Sequence, residues 1–155
     1  MTDYHLPPTL EQIEFRITGW LHGFAAENPL FEAIDRGEPG DGNEPRWYVR
    51  LRGEEKEHIT IWLTLGQRTL RYEAYVLPAP QENIAQVYEQ ALRRNDRLVG
   101  AHFAIGVEDA VFLRGELPLS ALNEAELDRI VGSLYQYVES AFPALIRLAF
   151  ASRFD

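Results

Sequence analysis

The stretch Ile59-Thr60-Ile61-Trp62-Leu63-Thr64-Leu65-Gly66-Gln67-Arg68-Thr69-Leu70-Arg71-Tyr72-Glu73-Ala74-Tyr75-Val76 decides the fold. On both sides of Gly66-Gln67 apolar residues alternate with polar ones, so each arm reads as a strand with one core face. A two-residue turn with Gly at its first central position, which needs positive φ, would pair Leu65 with Arg68. Read outward from that turn, Leu63 faces Leu70, Ile61 faces Tyr72 and Ile59 faces Ala74. On the opposite side Trp62 meets Arg71 and His58 meets Tyr75. Upstream, Trp47-Tyr48-Val49-Arg50-Leu51-Arg52 alternates in the same way and supplies a third strand of an antiparallel meander.

Helices flank this meander. Pro7-Pro8 blocks helix before Thr9, and Thr9 with Gln12 stands at capping-box spacing. Leu10, Ile13, Ile17, Trp20, Leu21 and Phe24 then recur at helical intervals, which predicts a helix over 10–26. Asn28-Pro29 ends it, and a short apolar piece, Leu30, Phe31 and Ile34, follows. Residues 35–45, rich in Gly, Pro and acids, read as a mobile loop. Beyond Pro78 and Pro80, neither of which can donate to a ladder, Ile84, Val87, Tyr88, Ala91 and Leu92 mark a second helix closing near Asn95. Gly100 opens a strand pair with a turn at Glu108-Asp109, whose second arm runs from Ala110 to Leu117 until Pro118 stops it. Asn123 and Glu126 then cap a last helix through Leu127, Ile130, Val131, Leu134, Tyr135 and Val138, with Pro143 expected to kink or break it. The order α-β-β-β-α-β-β-α is that of an α+β domain, an antiparallel sheet backed by helices.

A chain of 155 residues fits one domain of roughly 100–200 residues, so residues 1–155 are read as a single unit. Its 15 Lys and Arg against 24 Asp and Glu give a net charge of −9. That charge repels phosphate backbones and anionic headgroups, and neither nucleic acid nor membrane is an expected partner. Fourteen of the 15 cations are Arg, with Lys56 the only Lys. There is no Cys, hence no disulfide and no thiolate chemistry. No apolar run approaches the roughly 18 residues of a membrane span, and the start lacks the parts of a signal peptide, so a cytoplasmic location is expected.

The sequence offers no catalytic signature. His5, His22, His58 and His102 are too scattered for a local metal motif, and nothing calls for a metal or other cofactor. Glu54, Glu55 and Glu57 beside Gly53 read as a solvated hairpin tip. Gly37, Gly40 and Gly42 sit among Asp35, Glu38, Asp41 and Glu44, which would repel a phosphate, and the acids lack the order of a calcium loop. Ser133 follows Gly132 in mid-helix without a Gly-x-Ser-x-Gly turn, and reads as a packing residue. Arg93, Arg94 and Arg97 fall at a helix C-terminus, where cations complement the last carbonyls.

More informative is the non-core face of the meander, where Tyr48, Arg50, Thr60, Trp62, Thr64, Arg71, Glu73 and Tyr75 fall together. Aromatic rings and guanidinium groups dominate recognition surfaces. Tyr48, Arg50, Trp62, Arg71 and Tyr75 are therefore the candidate peptide-binding residues. The alternative is that Arg71 stacks on Trp62 as a cross-strand pair, or that a terminal segment covers the face.

Trp47-Tyr48-Val49-Arg50-Leu51, Thr64-Leu65-Gly66-Gln67-Arg68-Thr69-Leu70, Pro78-Ala79-Pro80-Gln81-Glu82-Asn83, Leu92-Arg93-Arg94-Asn95 and Leu117-Pro118-Leu119 resemble the YbjN family in its actinobacterial branch. The resemblance runs from Asn28-Pro29 to the last helix. It implies a fold similar to type III secretion chaperones and a role in peptide binding or regulation, and it assigns no catalytic residue. The expectation is a non-enzymatic domain that binds a protein or peptide segment, as a small chaperone or regulatory adaptor does, with a homodimer possible. The alternative is a small-molecule binder or enzyme with a pocket between the sheet and the last helix, using His102, Glu116 or Tyr135.

Overall fold

The computed structural model describes residues 6–154, so His5 lies outside the described residues. Thr9 and Gln12 form the expected capping box, with the Gln12 N–H donating to Thr9 Oγ1 at 3.1 Å and the Thr9 N–H to Gln12 Oε1 at 2.9 Å. The helix they start, α1 (Leu10–Glu27), buries Ile13, Ile17 and Leu21. Six strands follow in two blocks. The first block is β1 (Phe31–Arg36), β2 (Arg46–Arg52), β3 (His58–Leu65) and β4 (Thr69–Leu77). After α2 (Ile84–Asn95) come β5 (His102–Ile105) and β6 (Val111–Pro118), and then α3 (Glu124–Ala149). All six strands join one antiparallel sheet in the order β1-β2-β3-β4-β6-β5.

The architecture is α+β, with helix, strands, helix, strands and helix in the expected succession. The first block holds one strand more than expected. Asp35 and Arg36, read as the start of a loop, complete β1, which pairs with β2 through a bulge between Phe31 and Ala33. Arg36 occupies a core-facing position yet stays half out of the interior. Its guanidinium lies 4.8 Å from the Trp47 ring centre and pairs with Glu14 of α1. A cation that snorkels in this way does not register as apolar in an alternation count.

The β3–β4 hairpin differs in register from the sequence reading. Leu65 pairs with Leu70, Leu63 with Tyr72 and Trp62 with Glu73. The turn sits one residue further along the chain, on Gln67-Arg68, with the Gly66 N–H donating to the Thr69 carbonyl at 2.9 Å, and Gly66 has no positive φ. The slip is two residues, an even number. Because side chains alternate with period two, every residue keeps its face and only its cross-strand neighbour changes.

The core lies between one sheet face and the helices. Trp47, Val49, Ile59, Ile61, Leu63, Leu70, Ala74 and Val76 on the sheet meet Ile17, Leu21, Val87, Leu127, Leu134 and Val138 on the helices, all with no more than 1% exposure. The indole N–H of buried Trp47 is satisfied by Thr18 Oγ1 at 3.0 Å. Asn123 caps α3 through the Glu126 N–H at 2.8 Å. Pro143, expected to kink or break α3, does not break it and sits inside a continuous helix of 26 residues. Val138, Ala141, Leu145 and Ala149 are buried on both sides of it, and that packing offsets the one backbone bond proline removes.

α3 also holds the far end of the sheet. The Glu139 carboxylate accepts backbone N–H groups of Glu54 (2.8 Å), Glu55 (2.9 Å) and Lys56 (3.1 Å). Glu54, Glu55 and Glu57 remain exposed, so the tip is solvated in its side chains and anchored through its backbone. Gly53 is required there, since a Cβ would run into the Lys56 carbonyl.

Candidate functional site

The alternation that turns Ile61 and Leu63 inward turns Trp62 and Thr64 outward, onto a sheet face that carries no helix among the described residues. Register assembles this face into transverse rows. The central row runs Asp35, Tyr48, Trp62, Glu73, Arg114 and His102, one residue from each strand. On one flank lie Arg50 and Thr60, with Tyr75 and Phe112 paired further along the sheet. On the other lie Arg46, Thr64, Arg71 and Glu116.

Tyr48 and Trp62 pack edge to face, with ring centroids 5.9 Å apart and planes at 76°. Beside Trp62, Glu73 accepts from Arg114 Nε at 2.8 Å. Arg71 does not stack on Trp62, because the true register sets it opposite Thr64. It forms a two-pronged pair with Glu44, at 2.6 and 3.2 Å. Hydrogen bonding from Arg71 holds the Glu44 carboxyl below its ordinary value, and the same bond raises Arg71. This ion pair draws the 37–45 connection across one end of the face. Trp62, Arg71, Glu73, His102, Arg114 and Glu116 line the resulting open hollow of about 750 Å³.

Tyr75 stands at the opposite end. It packs edge to face on Phe112 at 5.7 Å and lies 5.3 Å from Lys56 Nζ, which is also 5.7 Å from the Phe142 ring. Burial raises the Tyr75 hydroxyl pKa and lowers that of the Lys56 ammonium, the latter opposed by the Glu139 charge. Phe150 and Arg153 border this corner, where Tyr75 and Phe112 line a second hollow of about 440 Å³.

All five residues selected from sequence, Tyr48, Arg50, Trp62, Arg71 and Tyr75, thus share one face, with Tyr48 and Trp62 in direct contact. The alternative trio is not brought together. His102 and Glu116 lie on the open face, whereas Tyr135 on α3 donates to the Arg52 carbonyl at 3.0 Å. Between the sheet and α3 the space is filled by Leu127, Ile130, Val131, Leu134 and Val138, each no more than 3% exposed. Among the described residues, no three His, Cys, Asp or Glu approach closely enough to hold a metal ion. None of their helices is long and apolar enough to cross a membrane.

Sequence reasoning missed Glu44, Arg46 and Arg114 as members of this face. Arg46 had a signal, since it stands two residues before Tyr48 and shares its parity. Arg114 had none locally, because its place beside Glu73 depends on the β4–β6 pairing across α2.

Residues 16–147 match the family model of YbjN, described as "Putative bacterial sensory transduction regulator". Uncharacterized protein Mb0497 of Mycobacterium bovis is 40% identical over 114 residues, 74% of this chain and 62% of its own length. Uncharacterized protein Rv0487 of Mycobacterium tuberculosis shares the same figures. Uncharacterized protein ML2442 of Mycobacterium leprae is 33% identical over 107 residues, 69% of this chain and 58% of its own length. The chain thus spans less than two-thirds of the curated relatives it matches, and their source agrees with an actinobacterial branch. On the extent of these matches, the chain belongs to the YbjN family.

Proposed function

We propose that this chain is a non-enzymatic regulatory adaptor that binds a protein or peptide segment on the open face of its sheet. Trp62 is the central anchor, with Tyr48, Arg50, Arg71 and Tyr75 around it. The observation that carries this reading is the aromatic pair Tyr48–Trp62 at the middle of a six-strand row, on a face without a helix among the described residues. Rings that are partly exposed and held rigidly by a sheet lose little freedom on binding, and Trp, Tyr and Arg dominate interface energies. The family's description as a regulator supports the same reading.

Trp62→Ala tests it. An anchor Trp truncated to Ala costs about 2 kcal/mol or more of binding, roughly thirtyfold in affinity. Affinity for a captured partner and the urea midpoint are measured on the same variant. Lost affinity with a nearly unchanged midpoint is expected, and unchanged affinity with a lowered midpoint overturns the reading. The proposal extends to a cytoplasmic homodimer, in the manner of the chaperone fold the sequence resembles. Sedimentation showing monomer alone at high micromolar concentration removes that extension.

A further inference from the structure

We infer that the segment seated on the open face is an amphipathic helix with an acidic rim, its apolar ridge on Trp62 and Tyr48 and its carboxylates on Arg46 and Arg50. The inference rests on the sheet-face reading above and names the chemistry of the occupant.

The first argument concerns backbone. Trp62 and Tyr48 lie on β3 and β2, which are interior strands of the sheet. Ladder pairing uses their N–H and C=O groups, and only the outer strands β1 and β5 offer a free edge. A segment lying over Trp62 gains no main-chain hydrogen bonds from the sheet and must satisfy its own. A helix does so, whereas an extended peptide does not.

The second argument concerns charge. Arg71 is committed to Glu44 and Arg114 to Glu73. Arg46 and Arg50 are in no ion pair among the described residues, and the Nε of each is shut off from solvent without a hydrogen-bond partner. Asp35 lies opposite Tyr48 on β1 and forms no ion pair with either arginine among the described residues. Asp41 and Glu116 line the same hollow and act on Arg71, and the Glu44 carboxylate committed to Arg71 lies with the Arg46 side chain around Gly40. In a chain of net charge −9, two unpaired guanidinium groups on either side of an aromatic anchor form a local exception. They fit an acidic partner that the molecule as a whole would repel.

The third argument is spacing. Arg46 and Arg50 are four residues apart on one strand, with Tyr48 between them. At about 3.3 Å per residue the separation is roughly 13 Å, which a helix rising 1.5 Å per residue covers in about two turns. Acidic residues at i and i+7 or i+8, with a large apolar residue at i+3 or i+4, therefore match both arginines and the ring pair from one helical face.

The experiment pans a display library of randomised helical peptides on the full chain, with counter-selection on Trp62→Ala, and measures winners by fluorescence anisotropy. Enriched peptides are expected to carry Asp or Glu two turns apart around an apolar residue, and to weaken as NaCl is raised from about 50 to 500 mM. Arg46→Gln and Arg50→Gln should each lower affinity roughly tenfold, while Arg46→Lys and Arg50→Lys retain part of it. Retention by the Lys variants separates lost charge from lost folding. Winners that need Trp62 but carry no acidic residues, or that bind Arg46→Gln/Arg50→Gln as tightly as wild type, overturn the acidic helix and leave the sheet face standing. Winners indifferent to Trp62→Ala, or no winners at all, overturn both.

Discussion

The two faces of the sheet are built from the same strands, residue by residue, and obey opposite rules. On the helix side β3 presents Ile59, Ile61, Leu63 and Leu65, each no more than 2% exposed and filled against α1 and α3 without a buried charge. On the open side the same strand presents Thr60, Trp62 and Thr64, amid Glu44–Arg71 and Glu73–Arg114 ion pairs. The first face is held by burial, at roughly 25 cal/mol per Å² of apolar surface removed from water. The second gains little from its exposed ion pairs and contributes mainly shape and charge. Stability and recognition are therefore separated by the direction of successive side chains.

Leu63→Ala should break that separation most strongly. Leu63 is fully buried, and truncation at such a site costs about 2–5 kcal/mol. Trp62→Ala, one residue away, should cost markedly less in the same urea titration. Equal losses would mean that both faces carry the fold. Gly115→Ala comes next. A methyl group there meets the Gly100 carbonyl and the Tyr72 ring, whose hydroxyl donates to the same carbonyl at 2.6 Å, and overpacking of this kind costs about 1–3 kcal/mol. A thermal melt unchanged by Gly115→Ala would show that the β6 edge of the core is slack.

The smallest effect lies on the open face. Arg71→Gln should lower stability by about 1 kcal/mol at most, because Arg71 is 48% exposed. Its pH dependence is more informative. Glu44 titrates below its ordinary value of 4.5 in the folded protein, so its contribution is present above 4.5 and is lost as pH falls through the folded value. The difference between wild type and Arg71→Gln should narrow as pH falls below 4.5, and a difference that stays constant through acid titration would assign the effect to packing.

The face of each strand residue was legible in the sequence, because period-two alternation depends only on neighbours along the chain. Cross-strand partners were less so. Gly66-Gln67 reads as the tight turn, but the turn falls on Gln67-Arg68, and that one-residue displacement moves Trp62 from Arg71 to Glu73. β1 escaped because Asp35 and Arg36 resemble the loop that follows, and Arg36 is paired by residues distant in sequence, Glu14 and Trp47. The five candidate binding residues were found by parity alone. The Glu44 clamp on Arg71 and the Arg114 partner of Glu73 arise from chain segments that meet only after folding.

The clamp between Glu139 and the β2–β3 tip has a consequence for synthesis. The partners are separated by 83 to 85 residues, and α3 follows every strand in the chain. At a translation rate of about 5–20 residues per second, the six strands leave the ribosome seconds before the helix that shields Ile61 and Leu63. During that interval the nascent chain displays an unshielded apolar surface and depends on holding chaperones or speed to avoid clumping. Pulse proteolysis of ribosome-stalled chains, with and without α3, would time the closing of that window.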